Sequence, residues 1–579
     1  MSDRTSNLNL FKWNTQDDAD LNSNFDIESA MNDNWDKIDT AFGNLSGNKV
    51  DKEEGKGLST EDYSTEEKEK LEGIEDGAQE NVLENLVLNG NILPKENKAI
   101  NIKDEEVVNA RQSTIKDKTF ASVDARIEEL EEDVDKMNIT RGHVYTVRRK
   151  ITNNTATTWE RLDDAVGLVA NATKNGGVVA NDFDNLAPWK DIVSFNLDLT
   201  TGRKNAYYGD ADFKFDGSNG DVYTHIPTFW LKIWEDNDYM YISIADYNRA
   251  GYTEIKEFDI ARYLLGIGTD DKPHSYSGLR GADFKNINTY RNLVKNSLGT
   301  GYCLMDWRYF AIQCLYLVEY ADFNSQSKLG NGCSQMRHNT NDVALVADTN
   351  TTSFVVNTTA GNAFVVGQQV RIGTYESAQA VERTITAIND YDDGEVTGKE
   401  IVLNEAVDNI TLSTKIWTGV QAAGQCDALG MKSGCLVDDQ KHNVIYRGIE
   451  GILGNIYAFV DGINIKDRVA WICYDPTEYA SDKFEAPYEE LGYTNASSNG
   501  YAKTLGFDIN HPLAQFPIEN GAGTTSGTSD YYYQDAGNRV ARVGGYSYNG
   551  AYCGLWCWNL GGTSSSAIWY CGARVLKYQ

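Results

Sequence analysis

Hydrophobic positions divide the chain into stretches of different period. From Phe120, apolar residues recur every three and four positions. Phe120, Ile127 and Val134 fall at heptad position a and Val123, Leu130 and Met137 at d, with Glu128, Glu129, Glu131, Glu132 and Asp133 outside. The spacing predicts a coiled-coil stem over 119–142; the alternative is a surface helix packed on its own domain. The a/d choice favours two strands. Met31, Trp35, Ile38 and Phe42 repeat at helical spacing in a segment (1–45) that buries too little to fold alone, so it docks on a partner or on copies of itself. Between them lies a segment over 46–118, of which residues 46–85 are rich in Lys, Glu and Gly. Ser64-Thr-Glu-Glu-Lys-Glu-Lys-Leu-Glu-Gly73 carries a helix start and a glycine stop, against the alternative of a flexible charged spacer.

After Gly142 the period shortens. His143-Val-Tyr-Thr-Val-Arg-Arg-Lys-Ile-Thr152 begins a series of alternating strands. Val222–Trp234 and Tyr239–Ala245 read as a hairpin around Glu235-Asp-Asn-Asp238. Trp307–Tyr320 is the clearest helix of this half. Residues 341–420 are polar and Thr/Val-rich, with short strands at 353–356, 368–373, 383–388 and 400–403 spaced like a small barrel. Gly and aromatic residues resume beyond it, so this stretch reads as a domain inserted between 143–340 and 421–579.

Composition narrows the function. The formal net charge of −32 argues against a nucleic-acid partner. No apolar run approaches the ~20 residues of a membrane span, and Met1-Ser-Asp-Arg-Thr-Ser-Asn7 has no secretory core. Synthesis in a cytoplasm is the expectation. The nine cysteines all lie at or beyond Cys303 with irregular spacing, which predicts free, mostly buried thiols; six scattered histidines predict no metal and no cofactor. No nucleophile elbow, Walker loop or dinucleotide fingerprint occurs. The 85 carboxylates make any Asp/Glu pair uninformative as a hydrolase signal. A binding protein is the expected class.

The window from Arg542 to Arg574 is the exception to the acidic chain: it holds no Asp, Glu or Lys and is dense in Tyr, Trp, Gly, Ser and Asn. Binding loops use these residue types because they combine rigid contact area with adaptable hydrogen bonding. Three stretches also carry a resemblance. Asn7-Leu-Asn-Leu-Phe-Lys-Trp-Asn14 with Asn32-Asp-Asn-Trp-Asp-Lys-Ile-Asp39 resembles the attachment segment of tail proteins from phages of Firmicutes. Gly57–Ile74 resembles a spacer of trimeric tail-fibre shafts. Arg542-Val-Gly-Gly545, Gly554-Leu-Trp-Cys-Trp-Asn-Leu560 and Gly572-Ala-Arg574 resemble the variable region of proteins diversified by retroelements, such as phage tropism determinants. Tyr446–Gly462 resembles their Gly-Asn-x-Trp-x-Trp element, with Tyr457 and Phe459 in the tryptophan positions.

The resemblance implies a multidomain α+β protein. Its parts are an N-terminal attachment helix and shaft, a short coiled-coil stem, and a C-type lectin-like α+β domain interrupted by a small all-β domain. It also implies a homotrimer on the virion, joined to baseplate or tail proteins by its N-terminus and to a host-surface protein or wall polymer by its tip. Diversified codons of that family yield Tyr, Ser, Cys, Gly, Ala or Asp from an adenine-rich start. On that pattern Tyr546, Tyr548, Tyr552, Cys553, Cys557, Gly561, Gly562, Ala567, Tyr570 and Cys571 would face a receptor. Asn549 would be an unchanged varied position and Trp556 a fixed neighbour. Gly544, Gly545, Gly554, Trp558, Trp569, Gly572 and Arg574 would be scaffold. The alternative reading, a glycan-degrading tail enzyme, would bring a long β-helix, and no such repeat is visible.

Overall fold

The computed structural model describes residues 142–578 except 153, 154 and 178, together with Glu129 and four two-residue strands. Those strands form two antiparallel pairs, Val87–Leu88 with Asn91–Ile92 and Gln112–Ser113 with Lys118–Thr119. The attachment segment and nearly all of the shaft and stem expected over 1–142 lie outside the described residues.

The expected α+β class is overturned. The described residues are mostly β, 38% strand against 12% helix, and contain no long helical stem. Within residues 142–578 the α-helices are Ile287–Leu298, Arg308–Tyr320, Ser325–Leu329 and Thr358–Gly361. The physical reason is visible in the sequence: short alternating runs of β-branched and aromatic residues, punctuated by Gly, recur throughout, and they fold as strands wherever sheet neighbours are available.

Three sheets build the main body. In the first, Val144–Lys150 pairs antiparallel with Tyr239–Ala245 and Glu160–Asp163, and the far edge is Thr253–Ile255 beside Phe229–Glu235. The run 222–234 is therefore two strands rather than one. Pro227, which cannot donate a ladder hydrogen bond, separates Asp221–Ile226 from Phe229–Glu235, and the two strands enter different sheets. The second sheet receives the C-terminal strand Val575–Tyr578 between Phe258–Ala261 and Tyr302–Leu304. Residues 143–340 and 421–578 thus close on each other as one body.

The third and largest sheet carries the neutral window. Its central order is Tyr457–Lys466, Asn538–Gly544, Gly554–Leu560, Tyr531–Gln534 and Gly500–Leu505. Helix Arg308–Tyr320 is largely apolar and enclosed on all sides: every residue from Tyr309 to Tyr320 is buried, Gln313 and Glu319 included. It ties Gly554–Leu560 down: Tyr309 Oη and Gln313 Nε2 both donate to the Leu555 carbonyl, at 2.9 and 2.6 Å.

Residues 348–418 form a five-stranded antiparallel sheet with their own core, including Phe354, Ile372, Ile401 and Ile416. Two of its strands are longer than the pattern predicts, Val381–Asp392 and Thr397–Ile410, because their polar residues face solvent and conceal the alternation. The insert is anchored to the main body by Arg371, which donates to Asp283 Oδ2 at 2.6 Å and pairs with Glu382.

Candidate functional site

Strand Gly554–Leu560 sends its residues into two cores. Trp556 packs edge-on to Phe323 at 4.8 Å and Tyr316 at 5.7 Å. Trp558 sits among Tyr309, Phe310 and Phe516. Cys557 points the other way, into the cluster of Tyr457, Phe459 and Val575. A strand covered on both faces has no outward side. Trp556 and Cys557 on this strand are therefore buried, and so are three further positions expected to face a receptor, Cys553, Gly562 and Cys571. Burial pushes the thiols of Cys553, Cys557 and Cys571 up, so none is a ready thiolate. At Cys571 the buried Arg542 guanidinium opposes that rise, with Nη1 3.0 Å from the sulfur.

The loop before this strand does reach the surface. Gly544 and Gly545 both take positive φ, 100° and 81°, and turn the chain at the end of Asn538–Gly544. A side chain at Gly545 would place its Cβ 2.6 Å from Cys553 Sγ. Asn549 then organises the turn. Its Oδ1 accepts from the Tyr546 amide at 3.1 Å and from Tyr457 Oη at 2.9 Å. Neighbouring loops hold the outer backbone: the Met336 amide donates to Ser547 O at 2.8 Å, and Gln326 Nε2 donates to Gly550 O and Cys553 O at 2.9 and 2.8 Å. The loop presents Tyr548, 58% exposed, and Tyr552, 37% exposed, from a fastened backbone.

These side chains join a larger aromatic face. Tyr552 stacks on Tyr531 at 4.2 Å and 25°, and meets Tyr501 edge-on at 5.6 Å. Tyr533 lies 4.8 Å from Tyr531. On the other side of Asn549, Tyr546 stacks on Tyr570 at 4.5 Å, with Trp569 edge-on to both. Beside Tyr548 and Tyr552 runs an open groove of ≈ 540 Å³, whose facing wall includes Gln335, Arg337, His338, Ala363 and Lys441. Ala363 belongs to the insert, so both domains border the groove. Partial burial pushes the Tyr501 hydroxyl up to about 12, which leaves it a neutral donor and acceptor at physiological pH.

The structure thus brings together Tyr546, Tyr548, Asn549, Tyr552 and Tyr570. Ala567 is exposed and Gly561 half-buried on the following loop, apart from the groove lining. Gly544, Gly545, Gly554, Trp558, Trp569, Gly572 and Arg574 are all buried. Arg574 donates to the Ala261 and Arg262 carbonyls at 2.8 and 2.6 Å and to Glu450 O at 2.5 Å, joining the C-terminal strand to two distant segments. Tyr501, Tyr531 and Tyr533 were missed by sequence reasoning because they precede the neutral window. The alternation in Tyr531-Tyr-Tyr-Gln534, with Tyr532 buried and its two neighbours half-buried, was the available signal.

Among the described residues, no three His, Cys, Asp or Glu side chains gather as a metal site, and no helix is long and apolar enough to cross a membrane. No protein-family model matches this chain, and no curated protein matches it.

Proposed function

We propose that this chain is a receptor-binding protein of a phage tail fibre and that the tyrosine face around Tyr548 and Tyr552 holds the host-surface receptor. The observation that carries the reading is the face itself. Two tyrosines from one fastened loop continue into Tyr501, Tyr531 and Tyr533 from the sheet, beside a groove of ≈ 540 Å³. Solvent-facing tyrosines on a rigid backbone give contact area at low entropic cost. Exposed aromatic clusters of this kind mark interaction sites.

In this reading the chain sits at the virion tail tip as a homotrimer, with tail or baseplate proteins at its N-terminus and a protein or wall polymer at its face. Copies acting together turn weak single contacts into tight attachment. Diversification acts on the exposed Tyr548, Tyr552 and Ala567 and on the half-buried Tyr546 and Tyr570, and spares the buried positions.

The test is adsorption. Particles carrying Tyr548→Ala and Tyr552→Ala together lose attachment while the purified protein keeps its oligomeric state by light scattering. Undiminished adsorption of such particles would remove the face from the mechanism.

A further inference from the structure

We propose that loop 374–380 of the insert is an acid-released latch on the tyrosine face: protonation of His338 frees the loop from Trp569 and opens the groove onto the Tyr546–Tyr570 stack. Such a latch belongs to the chain itself, so it is tested without a receptor and independently of adsorption.

The loop joins Gln369–Gly373 to Val381–Asp392. The base of the first strand is fixed. Arg371 pairs with Asp283, and the Gln369 amide donates to Gln421 Oε1 at 3.0 Å. Beyond Gly373, among the described residues, the loop's side-chain hydrogen bonds to the main body all end on one atom. Glu376 Oε1 accepts from Trp569 Nε1 and faces His338 Nε2, each at 3.1 Å. Glu376 holds a φ of 57°, a left-handed conformation that a residue with a Cβ keeps only where contacts hold it. Its side chain is 48% exposed, whereas Trp569 is only 2% exposed.

His338 is the trigger. A carboxylate only accepts, so the proton of the neutral ring sits on Nε2, and the buried Nδ1 has no partner. Around the ring stand Tyr375 and Glu376 from the insert loop and Tyr548 and Trp569 from the neutral window. Arg337, its chain neighbour, is held by Asp342 through two bonds of 2.6 Å. Nδ1 hydrogen-bonds to none of these groups, so a second proton places an N–H where nothing accepts it. Burial opposes the charge as well, and solvent around Glu376 weakens the attraction that would favour it.

The charged ring has an exit. His338 lines the ≈ 540 Å³ groove, and rotation into it brings the imidazolium to water. That movement breaks the Glu376 contact and uncovers the Trp569 face on which the imidazole stacks at 4.6 Å. Trp569 is edge-on to both Tyr546 and Tyr570, so its exposure extends the face in their direction. The proton binds the open form more readily than the closed one. The latch therefore stays shut above about pH 6.5, the ordinary histidine value, and opens as pH falls below it. Uptake of one proton changes the open-to-closed ratio about tenfold between pH 7.5 and 5.5.

The experiment is hydroxyl-radical footprinting of the intact chain, read residue by residue by mass spectrometry at pH 7.5, 6.5 and 5.5 and normalised to the exposed Tyr207. Oxidation of Trp569 should rise about tenfold over this range, while Trp558, buried in the core, stays protected. His338→Gln keeps a donor for Glu376 and does not titrate, so its Trp569 rate should be low and independent of pH. Glu376→Ala removes the catch from a half-exposed position and should raise the Trp569 rate already at pH 7.5, which covers the case in which His338→Gln fails to fold. Four results each overturn the proposal: a Trp569 still protected at pH 5.5, a rise that persists in His338→Gln, a rise shared by Trp558, or a Glu376→Ala rate equal to the parent's at pH 7.5.

Discussion

Trp569 Nε1 donates to Glu376 Oε1 at 3.1 Å, and the same oxygen lies 3.1 Å from His338 Nε2. The imidazole stacks on the indole at 4.6 Å and 30°. One carboxylate of the insert therefore ties together the neutral window and the 335–339 loop that walls the groove. The Glu376 side chain is 48% exposed, so solvent screens the bond and Glu376→Ala should cost about 0.5–1.5 kcal/mol. In a double-mutant cycle with Trp569→Phe, thermal or denaturant unfolding should return a coupling of about 0.5–2 kcal/mol. Additive effects would mean that the bond contributes nothing.

His338 makes this junction sensitive to acid. Burial pulls its pKa below the ordinary histidine value, with Glu376 opposing. Its Nδ1 is buried without a partner, so the extra N–H of the protonated ring would find no acceptor. Tyr375, Tyr548 and Trp569 occupy the other sides. A histidine with a depressed folded pKa binds its proton more readily in the unfolded chain. Its contribution is therefore fully present above about pH 6.5 and is lost as pH falls below that value. Unfolding scans at pH 7.5 and 5.5 should show a loss that His338→Gln reduces. An equal loss in the variant would assign the acid sensitivity elsewhere.

What the sequence disclosed follows from how far each residue's environment is local. The hairpin at Glu235–Asp238 and helix Arg308–Tyr320 were legible because period and turn residues suffice to define them. The class was misread as α+β because it was taken from resemblance, whereas the strand-rich pattern after Gly142 pointed to a mostly β body. In the window, codon chemistry could not separate Tyr552 from Cys553. One is exposed and the other buried only because Gly554–Leu560 lies under a helix some 240 residues earlier in the chain. Tyr531 entered the face through its antiparallel pairing with Tyr501, a long-range relation with no local signature.

Gly561 and Gly562 are adjacent and chemically identical, yet only the second should be sensitive to substitution. A Cβ at Gly561 would stand 3.3 Å from Asp535 Oδ2, at the end of a side chain that can yield. At Gly562 it would stand 2.6 Å from the Arg542 guanidinium, which is held by Cys571 and Asn559 at 3.0 and 2.7 Å. Gly561→Ala should stay within about 0.5 kcal/mol of the parent protein. Gly562→Ala should cost about 1–3 kcal/mol as overpacking. Comparable stabilities in denaturant unfolding would show that Arg542 can move aside.

Asp530 is buried beneath the same strand, and its Oδ2 accepts from the Trp556 amide at 2.8 Å. A Cβ on Gly554 would come within 2.1 Å of its other oxygen, so the glycine makes room for the carboxyl. Burial, with Asp322 adding to it, pushes the Asp530 pKa well above the carboxylate range, so the folded protein retains a proton that the unfolded chain releases. An acid raised in this way costs stability as pH climbs above its unfolded value of about 3.9, and the cost grows until the folded pKa is reached. Asp530→Asn keeps an acceptor for the Trp556 amide and needs no proton. It should therefore be more stable than the parent at pH 7–8, with the advantage shrinking toward pH 4. Asp530→Ala should instead lose about 1–3 kcal/mol by leaving that amide unpaired. The pair of variants, followed by unfolding across this pH range, separates the cost of the buried charge from the worth of the hydrogen bond. An asparagine variant less stable at every pH would mean that the protonated carboxyl donates a bond of its own.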